Sequence, residues 1–139
     1  TRKESSAASD VYKRQGMLMS EINSELPHQH GNNEKDILRH LPSPKTIDDV
    51  SIVLKQLSDP TRLKIFWILC HMEECVINIA AIMNMSSPAV SHHLRLLKTC
   101  GLINSRRDGK EMYYKAADTE MVNELHHAID NIAKITLPE

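Results

Sequence analysis

The side chains of this 139-residue chain that could do chemistry fall into two groups. Eight histidines and three cysteines could ligate a metal, and a run of hydroxyls and cations between Ser87 and Lys110 could meet a polyanion. The formal net charge is only -1, but it is unevenly sorted: residues 86–115 hold six Lys and Arg against two Asp and Glu, whereas residues 116–139 hold one against five. A phosphate backbone would be met by the basic stretch, because the charge that holds it must be local. Within that stretch Ser87, Ser91, His92, Arg95 and Lys98 share one side of a helical wheel. Small hydroxyls beside His92 and Arg95 permit close approach to base edges, and Arg107 and Lys110 stand at a turn further on, where they could rest on phosphates. The plainer reading of the same face is a solvated surface. Cys70, Cys75 and Cys100 are odd in number, which argues for free thiols in a reducing cell and against a disulfide framework. No Gly-rich phosphate loop and no Ser/His/Asp or Cys/His set at a recognisable spacing occurs, so an enzyme is not expected.

These residues need a scaffold. With 41% apolar residues, 25% charged and four Gly, the chain reads as a helix-rich globular protein, and its length allows one domain and a tail. No run of about 18 apolar residues exists and the N-terminus lacks a signal-peptide order, so neither a membrane span nor secretion is expected and the cytoplasm is the default compartment. Residues 1–44 show no apolar period and read as a disordered head. Within residues 1–16 the run SSAASDVYKRQ resembles translated adaptor sequence, which would put the native start at Met17 or Met19.

The domain is expected over residues 45–139. Thr46 caps a helix carrying Ile47, Val50, Leu54 and Leu57 at helical spacing. Asp59-Pro60 opens a second, with Leu63, Phe66, Trp67 and Cys70 on one stripe and Ile65, Ile68, Leu69 and Met72 on another, so it must be central. Asn78 caps a short third helix, and Ser86-Ser87-Pro88 starts a fourth whose apolar side is Val90, Leu94 and Leu97. Gly101 stops it. Two strands, at residues 102–106 and 111–116, flank an Asp108-Gly109 hairpin signal. Asp118 caps a last helix on which Met121, Leu125, Ala128, Ile132 and Ile135 recur at intervals of four and three, with Val122 and Ile129 adjoining.

Three helices, a helix with a polar and basic face, and a basic hairpin follow the order of a winged helix-turn-helix, in which the exposed helix enters the major groove and the wing lies on phosphates. The expected fold is therefore mainly α with a small β-hairpin wing. LSDPTRLKIFWILC and ECVINIAAIMNMSSPAVSHHLRLLKTCGLINSRRDGKEMYYK resemble the ArsR/SmtB family of dimeric winged-helix repressors, a likeness that runs from Thr46 to the end. The resemblance implies a homodimer joined through its first and last helices, with Val122, Leu125, Ile129 and Ile132 at the interface. It also implies binding to an inverted repeat in double-stranded DNA and release by a small effector. The family pattern has Gln-Ser where this chain has Ser87-Pro88, whereas Ser91, His92 and Arg95 match.

The resemblance further implies metal sites, from which the chain departs. The family's thiolate box resembles Glu-x-Cys-Val-Cys-Asp; Glu73-Glu74-Cys75-Val76-Ile77-Asn78 keeps the first cysteine alone, and soft ions want two or three thiolates. Cys70 and Cys100 read as packing. A last-helix site of Asp and His from one subunit with His and Glu from the other aligns with Asp118, Glu120, Asn131 and Lys134, which leaves two carboxylates. His126 and His127 with Asp130 offer an improvised set or a solvated face. The resemblance also implies an N-terminal arm that can fold across to the thiolate box of the partner subunit, and Cys75 with His28 and His30 so brought together would suit a zinc-class divalent ion as effector. Three readings stay open: a repressor released by such a metal, a repressor of the same kind without metal sensing, and a winged-helix protein-interaction module that does not bind DNA.

Overall fold

The computed structural model describes residues 26–136. The adaptor-like run, Met17 and Met19 lie outside the described residues. The chain forms two compact units, residues 1–51 and residues 52–139. The first holds α1 (Glu34–Arg39) and the start of α2 (Pro44–Leu57). A helix was not expected before Thr46, because α1 has no buried residue and so no apolar period to betray it. Charge supports it instead: Glu34 and Asp36 lie in its first turn and Arg39 in its last, each favourable to the helix dipole. The cap of α2 is Ser43, not Thr46; Ser43 Oγ accepts the Thr46 N–H at 3.2 Å. Pro44 in the first turn has no N–H to lose, so the helix starts earlier than the apolar pattern does.

In the second unit α3 (Pro60–His71) starts as expected, with Asp59 Oδ2 accepting the Arg62 N–H at 2.9 Å. Ile65, Phe66, Ile68 and Leu69 are buried, but Trp67, expected on a core stripe, is 42% exposed and donates its indole N–H to Asp130 Oδ1 at 3.0 Å. There follow β1 (Glu74–Cys75), α4 (Val76–Met83), α5 (Ser87–Thr99), β2 (Ile103–Asp108), β3 (Glu111–Ala116) and α6 (Glu120–Thr136). Two further caps differ from expectation. Cys75 stands at the N-cap of α4, while Asn78 lies in its first turn and donates Nδ2 to Glu74 Oε2 at 2.8 Å. Thr119, not Asp118, receives the Val122 N–H of α6 at 3.3 Å.

The strands form one antiparallel sheet in the order β1-β3-β2. Strand β1, read from sequence as an apolar link, pairs Glu74 with Tyr114 and Cys75 with Tyr113. Strand β2 runs on to Asp108, opposite Glu111, so Arg107 belongs to a strand and the loop is Gly109-Lys110. Gly109 has φ 61°, the positive value that a two-residue hairpin of the II′ kind asks of its first central residue. The core is a single cluster in which Ile65, Phe66, Ile79, Val90, Leu94, Leu97 and Leu102 are fully buried.

Candidate nucleic-acid interface

Helix α5 separates its faces by the 3.6-residue period. Val90, Leu94 and Leu97 are 0% exposed, whereas Ser87, Ser91, His92, Arg95 and Lys98 are all exposed. The start of α5 is fixed by Ser86, whose Oγ accepts the Ala89 N–H at 3.3 Å, with Pro88 in the first turn. Arg95 Nη2 lies 3.4 Å from His92 Nδ1, so these two polar groups of the face stand together. Lys98 Nζ donates to Ser105 Oγ at 2.6 Å and ties α5 to β2.

The wing adds charge unequally. Arg107 and Lys110 are exposed. Arg106 is engaged: its Nε and Nη2 both donate to Glu73 Oε1, at 2.9 and 2.5 Å, and its guanidinium lies 4.7 Å from the Tyr113 ring centroid. The Arg106 hydrogen bond holds the Glu73 carboxyl below the usual carboxylate range. One cation of the basic stretch is thus spent fastening the wing to the end of α3.

Two residues were missed in the sequence. Arg62 donates Nε to Gln56 O at 2.9 Å and reaches His93 Nδ1 of α5 with Nη1 at 3.3 Å. His71 Nε2 lies 3.0 Å from His126 Nε2 of α6, with the Trp67 ring 4.3 Å away. Neither contact with a distant helix has a local signal: Arg62 and His93 are 31 residues apart, and His71 and His126 are 55 apart.

Within one protomer the expected metal donors form no common cluster among the described residues. Cys75 is 8% exposed and its backbone is paired with Tyr113. His28 and His30 stack with ring centroids 6.0 Å apart. Asp118, Glu120, Asn131 and Lys134 are all exposed. His126 Nε2 is 3.3 Å from Asp130 Oδ2, and the His127 ring stacks 6.2 Å from that of His126. Among the described residues no group of three or more His, Cys, Asp and Glu side chains is arranged to hold a metal ion. Burial, with Asp130 adding to it, pushes the Cys70 thiol up to about 11, and burial also raises that of Cys100. Both thiols stay protonated at neutral pH and suit packing.

Of the four residues expected at a dimer interface, Val122 is 2% exposed and enclosed in the chain's own core, while Leu125 and Ile129 are partly buried against that core. Ile132 is 60% exposed and Ile135 83%, against 40% for Met121 at the start of the helix, so the uncovered apolar surface of α6 is greatest toward its C-terminal end.

A tri-helical core that presents a polar, basic helix beside a basic hairpin defines the chain as a winged helix-turn-helix DNA-binding domain, with α5 as recognition helix and β2-β3 as wing. Residues 59–105 match the family of bacterial regulatory proteins described as the arsR family. The cadmium resistance transcriptional regulatory protein CadC homolog of Staphylococcus aureus is 42% identical over 93 residues, which are 66% of this chain and 72% of that protein. The transcriptional repressor SdpR of Bacillus subtilis is 35% identical over 82 residues, 59% of this chain and 91% of that protein. A solution structure of a homodimeric winged helix-turn-helix DNA-binding domain from Mycobacterium bovis superposes with a TM-score of 0.61 at 28% identity, covering 81% of this chain and 94% of that one. The chain belongs to the arsR family of bacterial regulatory proteins. No described helix is long and apolar enough to cross a membrane.

Proposed function

We propose that the chain represses transcription as a homodimer on an inverted repeat in double-stranded DNA, with α5 of each protomer in the major groove and each wing on phosphates. The observation that carries this reading is the sorting of α5, where three fully buried aliphatic residues face Ser87, Ser91, His92 and Arg95 across the helix axis. The homodimeric relative from Mycobacterium bovis and the uncovered Ile132 and Ile135 support two-fold pairing, which spaces the recognition helices by whole turns of DNA. Release would follow from linkage: an effector that prefers the DNA-incompetent arrangement lowers operator affinity by the ratio of its affinities for the two arrangements.

The relative from Staphylococcus aureus is named for cadmium resistance, whereas the stretch Glu73 to Asn78 of this chain offers one thiolate where a soft ion wants two or three. Cys75 is buried and stands without a second thiolate in its box, so the geometry favours a repressor of this family without metal sensing. The polar groups of α5 face outward, and Ser91, Arg95, Lys98, Thr99 and Tyr114 line an open groove between α5 and β3.

The test is selection of duplexes from a randomised 30-base-pair pool by the full chain, followed by gel-shift titration. An inverted repeat should emerge, and a scrambled duplex should bind at least about a thousandfold more weakly. A pool that yields no enriched duplex would reject the DNA reading and leave the protein-interaction module in its place.

A further inference from the structure

The contact between α3 and α5 contains a titratable group that the DNA-reading face does not use. His93 lies on the inner side of α5, partly buried, next to the exposed His92, whose ring centroid is 5.7 Å away. Arg62 Nη1 reaches His93 Nδ1 at 3.3 Å, and the guanidinium is itself held by the bond from Nε to Gln56 O. A guanidinium can only donate, so the pair exists only while His93 Nδ1 keeps its lone pair. Three charged or titratable groups face the ring. Asp59, the cap of α3, favours a charged imidazole, whereas Arg62 and His92 oppose it. Burial opposes it most, and the outcome is a His93 that titrates below the ordinary histidine range.

We propose that His93 is a positioning residue for DNA recognition: accepting from Arg62 across the α3–α5 contact, its neutral ring seats the recognition helix, and protonation unseats it. The proposal rests on the reading of α5 as the DNA-contacting helix. A protonated Nδ1 would turn an N–H toward the Arg62 donors and set two cations against each other at hydrogen-bond distance. Because the ring is harder to protonate in the folded chain than in the unfolded one, the seated arrangement is fully favoured above about pH 6.5 and is lost as the pH falls through the lower folded value. His92 lies on the exposed face beside Arg95.

The experiment compares the native full chain with His93→Asn, whose Oδ1 stands near the place of Nδ1 and accepts without titrating, and with His93→Leu, which cannot accept. All three keep His92. The probe is a fluorescein-labelled duplex selected by the native chain at pH 7.5, titrated by anisotropy from pH 7.5 to 5.0. His93→Asn should bind within about threefold of native at pH 7.5, and His93→Leu at least about tenfold more weakly. The ratio of native to His93→Asn affinity should fall at least about threefold by pH 5.0. In parallel, nitrogen-15 imidazole shifts of the native chain should report an unprotonated Nδ1 at pH 7.5, and the amides of α5 should move with the His93 titration. A native-to-Asn ratio flat with pH, or a His93→Leu chain as tight as native, would overturn the proposal. If no duplex is selected, the DNA reading fails and the imidazole measurement alone decides the seating: a protonated Nδ1 at pH 7.5, or α5 amides indifferent to His93, defeats it.

Discussion

At the scale of single residues, cations that look equivalent in the sequence do different work. Arg95 stands on the exposed face of α5 beside His92, Lys110 at the tip of the wing, and Arg106 is bound to Glu73. Arg95→Ala should therefore cost about 1 to 3 kcal/mol of specific binding and leave non-specific DNA almost untouched. Lys110→Ala should weaken both kinds of duplex together and reduce the salt slope by about one, since phosphates carry no sequence. Anisotropy titrations at several salt concentrations read both effects; an Arg95→Ala chain that loses selected and scrambled duplex equally would show that Arg95 meets only the backbone. A second expectation concerns the thiols. With Cys70 titrating at about 11, its thiolate at pH 8 is about one part in a thousand, so iodoacetamide should spare it in the folded chain and modify it in urea, as read by peptide mass. The outward residues of α5 were legible because periodicity reports which side of a helix is dry. The Arg62–His93 pair was not, because its members are 31 residues apart and nothing local announces a contact at that distance.

At the scale of elements, helices α2 to α6 could be read, as could the caps Asp59 and Ser86, but the starts of α2, α4 and α6 could not. Burial repeats over three turns and leaves a pattern, whereas a cap is one hydrogen bond that Ser43 or Thr46, Thr119 or Asp118, could equally offer. Strand β1 escaped because two residues have no period, and it exists only through its pairing with β3. The link between α3 and α6 was hidden for the same reason as Arg62–His93. It joins Trp67 to Asp130, Asp130 to His126, and His126 to His71. The Trp67 hydrogen bond is the largest cause holding the Asp130 carboxyl below its ordinary range. A carboxylate so held contributes stability that is present above the ordinary carboxylate value and lost as the pH falls through the lowered one. Trp67→Phe should move the Asp130 titration upward, toward that ordinary value, in carbon-13 spectra of the side chain. An unchanged Asp130 titration in the variant would mean that the indole does not reach the carboxylate in solution. Leu94→Ala probes the neighbouring α5 packing and should cost about 2 to 5 kcal/mol in urea unfolding, the range for a fully buried leucine that leaves a cavity.

At the scale of the whole molecule, the net charge of -1 says nothing useful about a DNA partner, because the basic and acidic segments are sorted apart. The apolar pattern of α6 was similarly correct in total and ambiguous in use. Its stripes supply both the chain's own core and a surface for another chain, and a helical wheel cannot tell which residue goes where. The fold divides them: Val122 is 2% exposed, whereas Ile132 and Ile135 are 60% and 83% exposed, and Ile47, Val50, Ile52 and Leu54 of α2 are each about half exposed. That much aliphatic surface on the first and last helices of the expected domain is what a two-fold partner would cover. The division yields a paired prediction. Ile132→Glu removes nothing from the protomer's core, so it should leave the protomer's fold intact by circular dichroism while shifting sedimentation from dimer to monomer and abolishing binding to the selected duplex. Val122→Ala does the reverse: it opens a cavity inside each protomer and should lower stability by roughly 1 to 3 kcal/mol, with the dimer retained at concentrations where the chain stays folded. Sedimentation velocity over a hundredfold range of concentration separates the two. An Ile132→Glu chain that sediments as a dimer and binds the duplex at native affinity would place the partner surface elsewhere and remove α6 from it.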